Sequence, residues 1–313
     1  MRKYIGKTKI NASYDCHGSC LFDKMEIVMA TDIAQRIRNI FTKLSKGHKK
    51  IANAVLYDYD KIAYLTAGRL GLRVGVSEST VVRFAYELGY DGYAEFQHAV
   101  QELVRTRLTL NQRIDVTKDR MLRGDIIENV MTQDMNKIRH TFEHLDRDAF
   151  FGAADAIINA KKIYILGARS SDTLAQLLSY NLSLIYDNVH HIRPMSTAEI
   201  FEQMFTIGEG DVMIAFSFPR YSSKMVSAVS YAKKNGATVI AFTDSNISPI
   251  ADKAEYLLLA QGDMASFMDS FVAPISIINA LIIHITHKQE RKIRDRFDHL
   301  EQVYEEYGVY TKR

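Results

Sequence analysis

Residues 65–89 read LTAGRLGLRVGVSESTVVRFAYELG. Leu70, Val74, Val76, Val81 and Phe84 recur at spacings that fit two helices crossing at a tight turn. Gly75 sits at that turn, where a positive φ costs glycine least. Gly71 stands where close helix approach needs a small side chain. A glycine inside a helix costs roughly 1 kcal/mol relative to alanine, so this stretch is not tuned for helix stability alone. The pattern predicts a helix-turn-helix. Ser77 is positioned to cap the second helix, and Ser77, Glu78, Ser79, Thr80 and Arg83 form its exposed start. In such a motif the N-terminal residues of the second helix meet base edges in the major groove. Serine and threonine hydroxyls suit phosphates or bases, and Arg83 can grip a guanine with two hydrogen bonds or hold a phosphate. An ordinary capping turn also accounts for Ser77–Thr80 taken alone; the full spacing and the basic charge favour a DNA-reading face. Tyr90 and Tyr93 read as packing at the entry of the next helix.

The helical period extends on both sides. TDIAQRIRNIFTKL, from Thr31, places Ile33, Ile37, Ile40, Phe41 and Leu44 three to four residues apart, with Thr31 or Asp32 as N-cap candidates. Ile51, Val55, Leu56, Tyr59, Ile62 and Leu65 repeat the period. No strand-like alternation interrupts it, so residues 31–109 form an all-helical DNA-binding domain. Residues 1–112 hold 17 basic against 11 acidic side chains, and the remainder 23 against 26. A basic first part suggests an anionic partner; charge alone does not name it, and the helix-turn-helix is what makes double-stranded operator DNA the expected one. Residues 1–30 read as a flexible leader. Its Cys16 and Cys20 are too few for a disulfide framework. With His17 they make only three candidate metal ligands, so free thiols, no metal and no cofactor are expected.

The texture changes at Lys161. KKIYILGARSS is a β-branched run ended by glycine. DVMIAFSF (211–218), TVIAFTDS (238–245), AEYLLLA (254–260) and VHHIRPM (189–195) are further candidate strands. Helical stretches at 171–187, 222–235 and 268–287 separate them. Strands alternating with helices of this length predict a parallel sheet covered on both faces. The fold class is therefore α/β with an all-α N-terminal domain, a helix-turn-helix bundle followed by a parallel α/β sandwich. Residues 110–124 form a linker that, lacking proline, is expected to be helical. The α/β domain covers 125–290, and 291–313 is a charged C-terminal helix and tail.

Three loops at the C-terminal ends of the expected strands carry hydroxyls. Arg169, Ser170 and Ser171 precede one helix, Ser217, Arg220 and Ser222 precede another, and Thr243, Asp244 and Ser245 follow a third strand. Backbone N–H groups at a helix start bind anions, and loops at this end of an open α/β sheet form its ligand crevice. Hydroxyls with arginine suit a phosphorylated polyol, although serine also caps helices for structural reasons. The sequence shows no P-loop, no G-x-G-x-x-G and no zinc-ligand spacing. Of the 313 residues, 47% are hydrophobic and 25% charged, ordinary for a globular chain. No apolar run reaches the ~18–20 residues that span a bilayer, and the N-terminus lacks the apolar core of a signal peptide. A cytoplasmic protein without membrane contact is expected.

GVSESTVVRFAYELGYDGYAEFQ closely resembles the N-terminal domain of RpiR-type bacterial transcription regulators, in which a helix-turn-helix domain precedes a sugar-isomerase (SIS) domain. Residues 161–285 are similar to the SIS fold, which implies binding of phosphosugars. Ser171 matches that family's phosphate-loop serine. Ser217 and Ser222 match the first and last hydroxyl positions of its S-x-S-G-x-T loop, which here reads S-F-P-R-Y-S. Pro219 replaces the middle serine and Arg220 the glycine, and Arg169 stands where many relatives have glycine. The resemblance implies a regulator that senses a phosphorylated sugar or related metabolite, without enzymatic activity, as a homodimer or homotetramer. The alternative is a phosphosugar isomerase with a helical accessory domain. Glu199 would then be the general base and His190 or His191 its partner; in the regulator Glu199 would orient the ligand. A third reading is an assembly module without ligand.

Overall fold

The computed structural model describes residues 33–107, 109–121, 124–193, 196–262 and 267–310. The expected leader, with Cys16, His17 and Cys20, and the N-cap candidates Thr31 and Asp32 lie outside them. The chain divides into two compact units at Val100 and Gln101.

The first unit is helical, with α1 (Ile33–Ile40), α2 (Lys46–Tyr57), the single turn α3 (Tyr59–Ile62), α4 (Ala67–Val74), α5 (Glu78–Glu87) and the start of α6 (Tyr93–Arg107). Apolar residues at helical spacing give each helix one buried stripe. Ile33, Ile37, Ile51, Val55, Leu70, Val81, Phe84 and Phe96 make the core. Phe84 and Phe96 meet edge to face at 5.8 Å, the arrangement that ring quadrupoles favour. Ser45, Thr66 and Ser77 cap α2, α4 and α5, each accepting a hydrogen bond from a backbone N–H three residues on.

In the second unit the expected linker forms α7 (Leu110–Met121), followed by α8 (Ile126–His144) and α9 (Arg147–Asn159). A five-stranded sheet comes next, with β1 (Ile163–Gly167), β2 (Val189–Ile192), β3 (Val212–Phe216), β4 (Thr238–Thr243) and β5 (Tyr256–Leu259). Its order is β2-β1-β3-β4-β5 and every pairing is parallel. The intervening helices are α10 (Asp172–Ile185), α11 (Thr197–Met204) and α12 (Ser223–Lys234), and α13 (Val272–Lys288) and α14 (Glu290–Glu306) close the chain. Strands β1 and β3 are buried at every position, as a central strand with two covered faces requires. Ile163, Ile165, Val212, Ile214 and Phe216 pack with α9, α10 and α13 on one face, while Tyr164, Leu166, Met213 and Ala215 pack with α11 and α12 on the other. The expected α/β layering and all five strands are present, each strand ending within a few residues of the sequence reading.

The order of the strands fixes where a ligand can bind. After β1 the chain moves to β2 on one side, and β3 begins the other half of the sheet. Loops leaving β1 and β3 therefore diverge to opposite faces and open a crevice between them, the switch point of a doubly wound sheet. Gly167 pairs with Phe216 at its floor.

Candidate functional site

In the first unit, α4 and α5 meet as the spacing predicts. Gly75 has φ 69° and ψ 51° and closes α4 in the left-handed conformation. A Cβ on Gly71 would lie 2.7 Å from the carbonyl oxygen of Val76, so this position admits only glycine unless the turn shifts. Ser77 Oγ accepts from the Thr80 N–H at 3.3 Å and lies 2.9 Å from Ser79 Oγ and 2.8 Å from Thr80 Oγ1. Val81, Phe84, Ala85 and Leu88 are buried, whereas Ser77, Glu78, Ser79 and Arg83 are exposed and Thr80 is half-buried. Arg83 folds back on its own helix, donating to Ser79 O and Ser79 Oγ, both at 3.2 Å. The five proposed DNA-contacting residues thus share one end of one helix, and Ser77, Ser79, Thr80 and Arg83 are tied into a hydrogen-bonded cluster. Sequence reasoning missed Tyr86, 58% exposed and one turn beyond Arg83 on the same helix. Its place in the helical period was the available signal. Tyr90 is buried against Phe96, and Tyr93 donates its hydroxyl to Leu65 O at 2.6 Å, so both tyrosines pack the domain. Burial pushes the Tyr93 phenol up to about 12.

In the second unit a cavity of about 250 Å³ opens at the switch point. Arg169, Ser170 and Ser171 reach it from the loop after β1, and Ser217, Pro219, Arg220 and Ser222 from the loop after β3. Ser171 and Ser222 stand immediately before α10 and α12, where an ordinary serine would cap. Neither side chain makes a capping hydrogen bond. Ser171 and Ser217 are 6% and 4% exposed. Among the described residues no hydrogen bond engages the hydroxyls of Ser171, Ser217 or Ser222. Buried hydroxyls normally find partners. Ser171 and Ser217, buried, and Ser222, half-buried, line the cavity without one, which separates them from the capping serines Ser45, Ser77 and Ser196.

The loop backbones are as informative. Among the described residues two non-glycine positions have positive φ, Arg169 at 57° and Arg220 at 65°. These are the positions where the sequence comparison led one to look for glycine. The chain keeps the left-handed turn and places arginine on it. Neither guanidinium makes an ion pair or hydrogen bond among the described residues. Gly167 remains glycine because a Cβ there would lie 2.4 Å from the carbonyl oxygen of Ser171, so the turn that presents Ser171 closes directly over it.

The remaining wall was not foreseen. Leu110 and Arg113 of α7 and the segment Phe267–Asp269 line the cavity. Arg113, 2% exposed, donates from Nη1 to Asp269 Oδ1 at 2.9 Å. Nothing in the local sequence marks this pair, because its partners are 156 residues apart. The third hydroxyl loop lies elsewhere. Asp244 receives the Tyr221 hydroxyl at 2.9 Å and the Thr243 hydroxyl at 3.3 Å, and Thr243, Asp244 and Ser245 do not line the cavity. Nor does Glu199, which lies in the first turn of α11 with its N–H capped by Ser196 Oγ at 3.2 Å. His191 Nε2 pairs with Asp172 Oδ1 at 2.9 Å, and His190 stacks on Tyr164. Among the described residues no group of three or more His, Cys, Asp or Glu could hold a metal, and no helix is long and apolar enough to cross a membrane.

A helix-turn-helix unit followed by a doubly wound sheet with a hydroxyl-lined switch point defines a class, that of DNA-binding modules joined to SIS domains. Residues 31–106 match the model of the helix-turn-helix domain of the rpiR family, and residues 156–284 match the SIS domain. The chain belongs to the rpiR family of helix-turn-helix transcriptional regulators. It is 25% identical over 286 residues to the HTH-type transcriptional regulator HexR of Escherichia coli, covering 88% of this chain and 95% of that one. An uncharacterized HTH-type regulator of Haemophilus influenzae is 24% identical, with 80% and 90% covered. Among solved structures, the NanR protein of Vibrio vulnificus complexed with ManNAc-6P matches with a TM-score of 0.57 at 19% identity, covering 90% of this chain and all of that one. The sugar isomerase domain of an RpiR transcription factor from Sphaerobacter thermophilus matches with a TM-score of 0.54 at 24% identity, covering 57% and 99%.

Proposed function

We propose that this rpiR-family transcriptional regulator binds operator DNA through the exposed start of α5 and senses a phosphorylated sugar at the β1/β3 switch point. One observation carries the reading: the hydroxyls of Ser171, Ser217 and Ser222 converge on one cavity, beside two helix starts, with no protein partner among the described residues. Helix N-termini favour anions, and a phosphate supplies acceptors for all three hydroxyls. That the NanR relative is complexed with a phosphosugar supports the same class of ligand. Ser77, Ser79, Thr80 and Arg83 contact phosphates and base edges, and Glu78 borders them.

The two sites are linked. A ligand that binds one arrangement of the protein better shifts its affinity for DNA by the same factor that DNA shifts its affinity for the ligand. The SIS domain serves as a sensor and not as an enzyme. Glu199, His190 and His191 do not line the cavity, and the carboxylate that does, Asp269, is paired with Arg113, which counts against an isomerase base at the bound sugar. The protein acts in the cytoplasm as a homodimer or homotetramer. An exposed apolar row on α8, comprising Ile127, Met131, Met135 and Phe142, supports self-association.

The test is binding of the full chain to its own upstream DNA at fixed salt, with and without a panel of phosphosugars. Salt is held constant because phosphate contacts make affinity strongly salt-dependent. Specific binding that one sugar phosphate alters, and that Arg83→Ala weakens about tenfold or more with the fold intact, bears out the proposal. Binding no tighter than to random DNA at several salt concentrations counts against the DNA half. Turnover of an aldose phosphate lost in Glu199→Gln would overturn the sensor reading.

A further inference from the structure

The donors at the floor of the cavity already suffice for one phosphate. Ser171, Ser217 and Ser222 offer three free hydroxyls, and the starts of α10 and α12 offer backbone N–H groups. Arg169 and Arg220 are surplus to that task. Both line the cavity, both lack a hydrogen bond or ion pair among the described residues, and each leaves its own loop, from adjacent strands paired in register. The third arginine of the wall, Arg113, is paired with Asp269. Each free arginine also occupies a left-handed backbone conformation that glycine would adopt without strain. A strained conformation persists at a binding site where the side chain it presents has work to do. A guanidinium's planar fork matches carboxylate and phosphate oxygens two at a time, and a neutral sugar ring gives it no such partner.

We infer that the effector carries a second acidic group besides its phosphate, a carboxylate or a further phosphate on the same polyhydroxy carbon chain, and that Arg169 and Arg220 read it. The inference rests on the phosphosugar reading above and narrows it. A simple aldose monophosphate would fill the hydroxyl floor and leave both arginines unmatched.

Calorimetric titration of the full chain with three probes tests it. Glucose 6-phosphate has one acidic group. 6-Phosphogluconate has the same carbon skeleton with a carboxylate at C1, and fructose 1,6-bisphosphate has a second phosphate. At least one diacidic probe should bind about tenfold or more tightly than glucose 6-phosphate. Which of the two does so assigns the second group as carboxylate or phosphate. In an Arg169→Gln/Arg220→Gln variant that preference should fall below about threefold, while glucose 6-phosphate affinity changes little. The inference is overturned if glucose 6-phosphate binds as tightly as both diacidic probes, or if the preference survives in the double variant. A separate outcome marks failure of the parent reading: no probe binds, or Ser171→Ala/Ser222→Ala leaves every affinity unchanged.

Discussion

Replacing Arg220 with glycine should make the fold more stable and the site worse. Arg220 has φ 65°, where an L-residue pays roughly 1–2 kcal/mol because its Cβ crowds the following carbonyl. Glycine removes that cost. Part of the gain is returned, since glycine's freer unfolded chain costs about 0.5–1 kcal/mol on folding. The net stabilisation is about 0.5–1 kcal/mol. For a unit of this size each kcal/mol moves Tm by roughly 2–4 °C, so the C-terminal unit should melt about 1–4 °C higher. Arg220→Ala is the control. It removes the same guanidinium but keeps the Cβ on a left-handed backbone, so it gains nothing from the turn. The difference between the two variants therefore isolates the backbone contribution, and the guanidinium makes no ion pair among the described residues that would confuse it. The assay is thermal unfolding of the full chain by circular dichroism, with affinity for an acidic phosphosugar measured on the same samples. Both variants should bind it more weakly, and only the glycine variant should melt higher. Equal melting temperatures for glycine and alanine would refute the strain argument. A glycine variant with undiminished affinity would refute the reason given for tolerating the strain.

Three other perturbations follow from single contacts. Gly71→Ala sets a Cβ 2.7 Å from Val76 O and should destabilise the first unit by about 1–3 kcal/mol in urea unfolding; a loss under about 0.5 kcal/mol would mean the turn relaxes freely. Tyr93, with its phenol pushed up to about 12 by burial, contributes stability that is intact below the unfolded value near 10 and is lost as pH rises toward 12. The gap in urea midpoint between wild type and Tyr93→Phe should hold from pH 8 to 10 and narrow above it; a constant gap would show that the phenol's proton is irrelevant. Met131→Glu/Met135→Glu charges the exposed row on α8, and light scattering should find it dissociated with unchanged circular dichroism. An unaltered mass would place the contact elsewhere.

The fold was legible because its signals are local. Gly71 and Gly75 mark a crossing and a turn within a few residues, and IYILG and VMIAF announce central strands by having no polar face. Half of the site was legible for the same reason, since loops that follow strands and precede helices carry their hydroxyls in sequence order. The sequence could not say whether Ser171 and Ser222 cap or wait, because both roles use the same residue at the same place. Only the missing capping hydrogen bonds separate them. The third loop looked equivalent but leaves β4, one strand beyond the switch point, and its Asp244 is drawn to Tyr221. The wall formed by α7 and the segment at 267–269 was invisible, since it depends on a contact across 156 residues.

That wall also bears on the proposed linkage between the two sites. Helix α6 crosses the division between the units, and α7 is the next element of the chain. Arg113 therefore stands on the first helix lying wholly within the second unit, with its guanidinium in the cavity wall. Buried at 2% against Asp269 at 9%, the pair holds α7 to the segment at 267–269. Removing one partner strands the other charge, at a cost of about 3–5 kcal/mol, whereas removing both with apolar residues of similar size costs far less. Arg113→Met and Asp269→Leu should each lower the unfolding midpoint of the second unit, and the double variant should recover most of the loss. If the two losses simply add, to within about 0.5 kcal/mol, the pair does not anchor α7. If they do not add, ligand response should follow the pair. The variant without either charge should then still bind DNA but lose much of the ligand's effect on it. DNA binding that remains fully ligand-responsive in the double variant would show that the signal leaves the cavity by another wall.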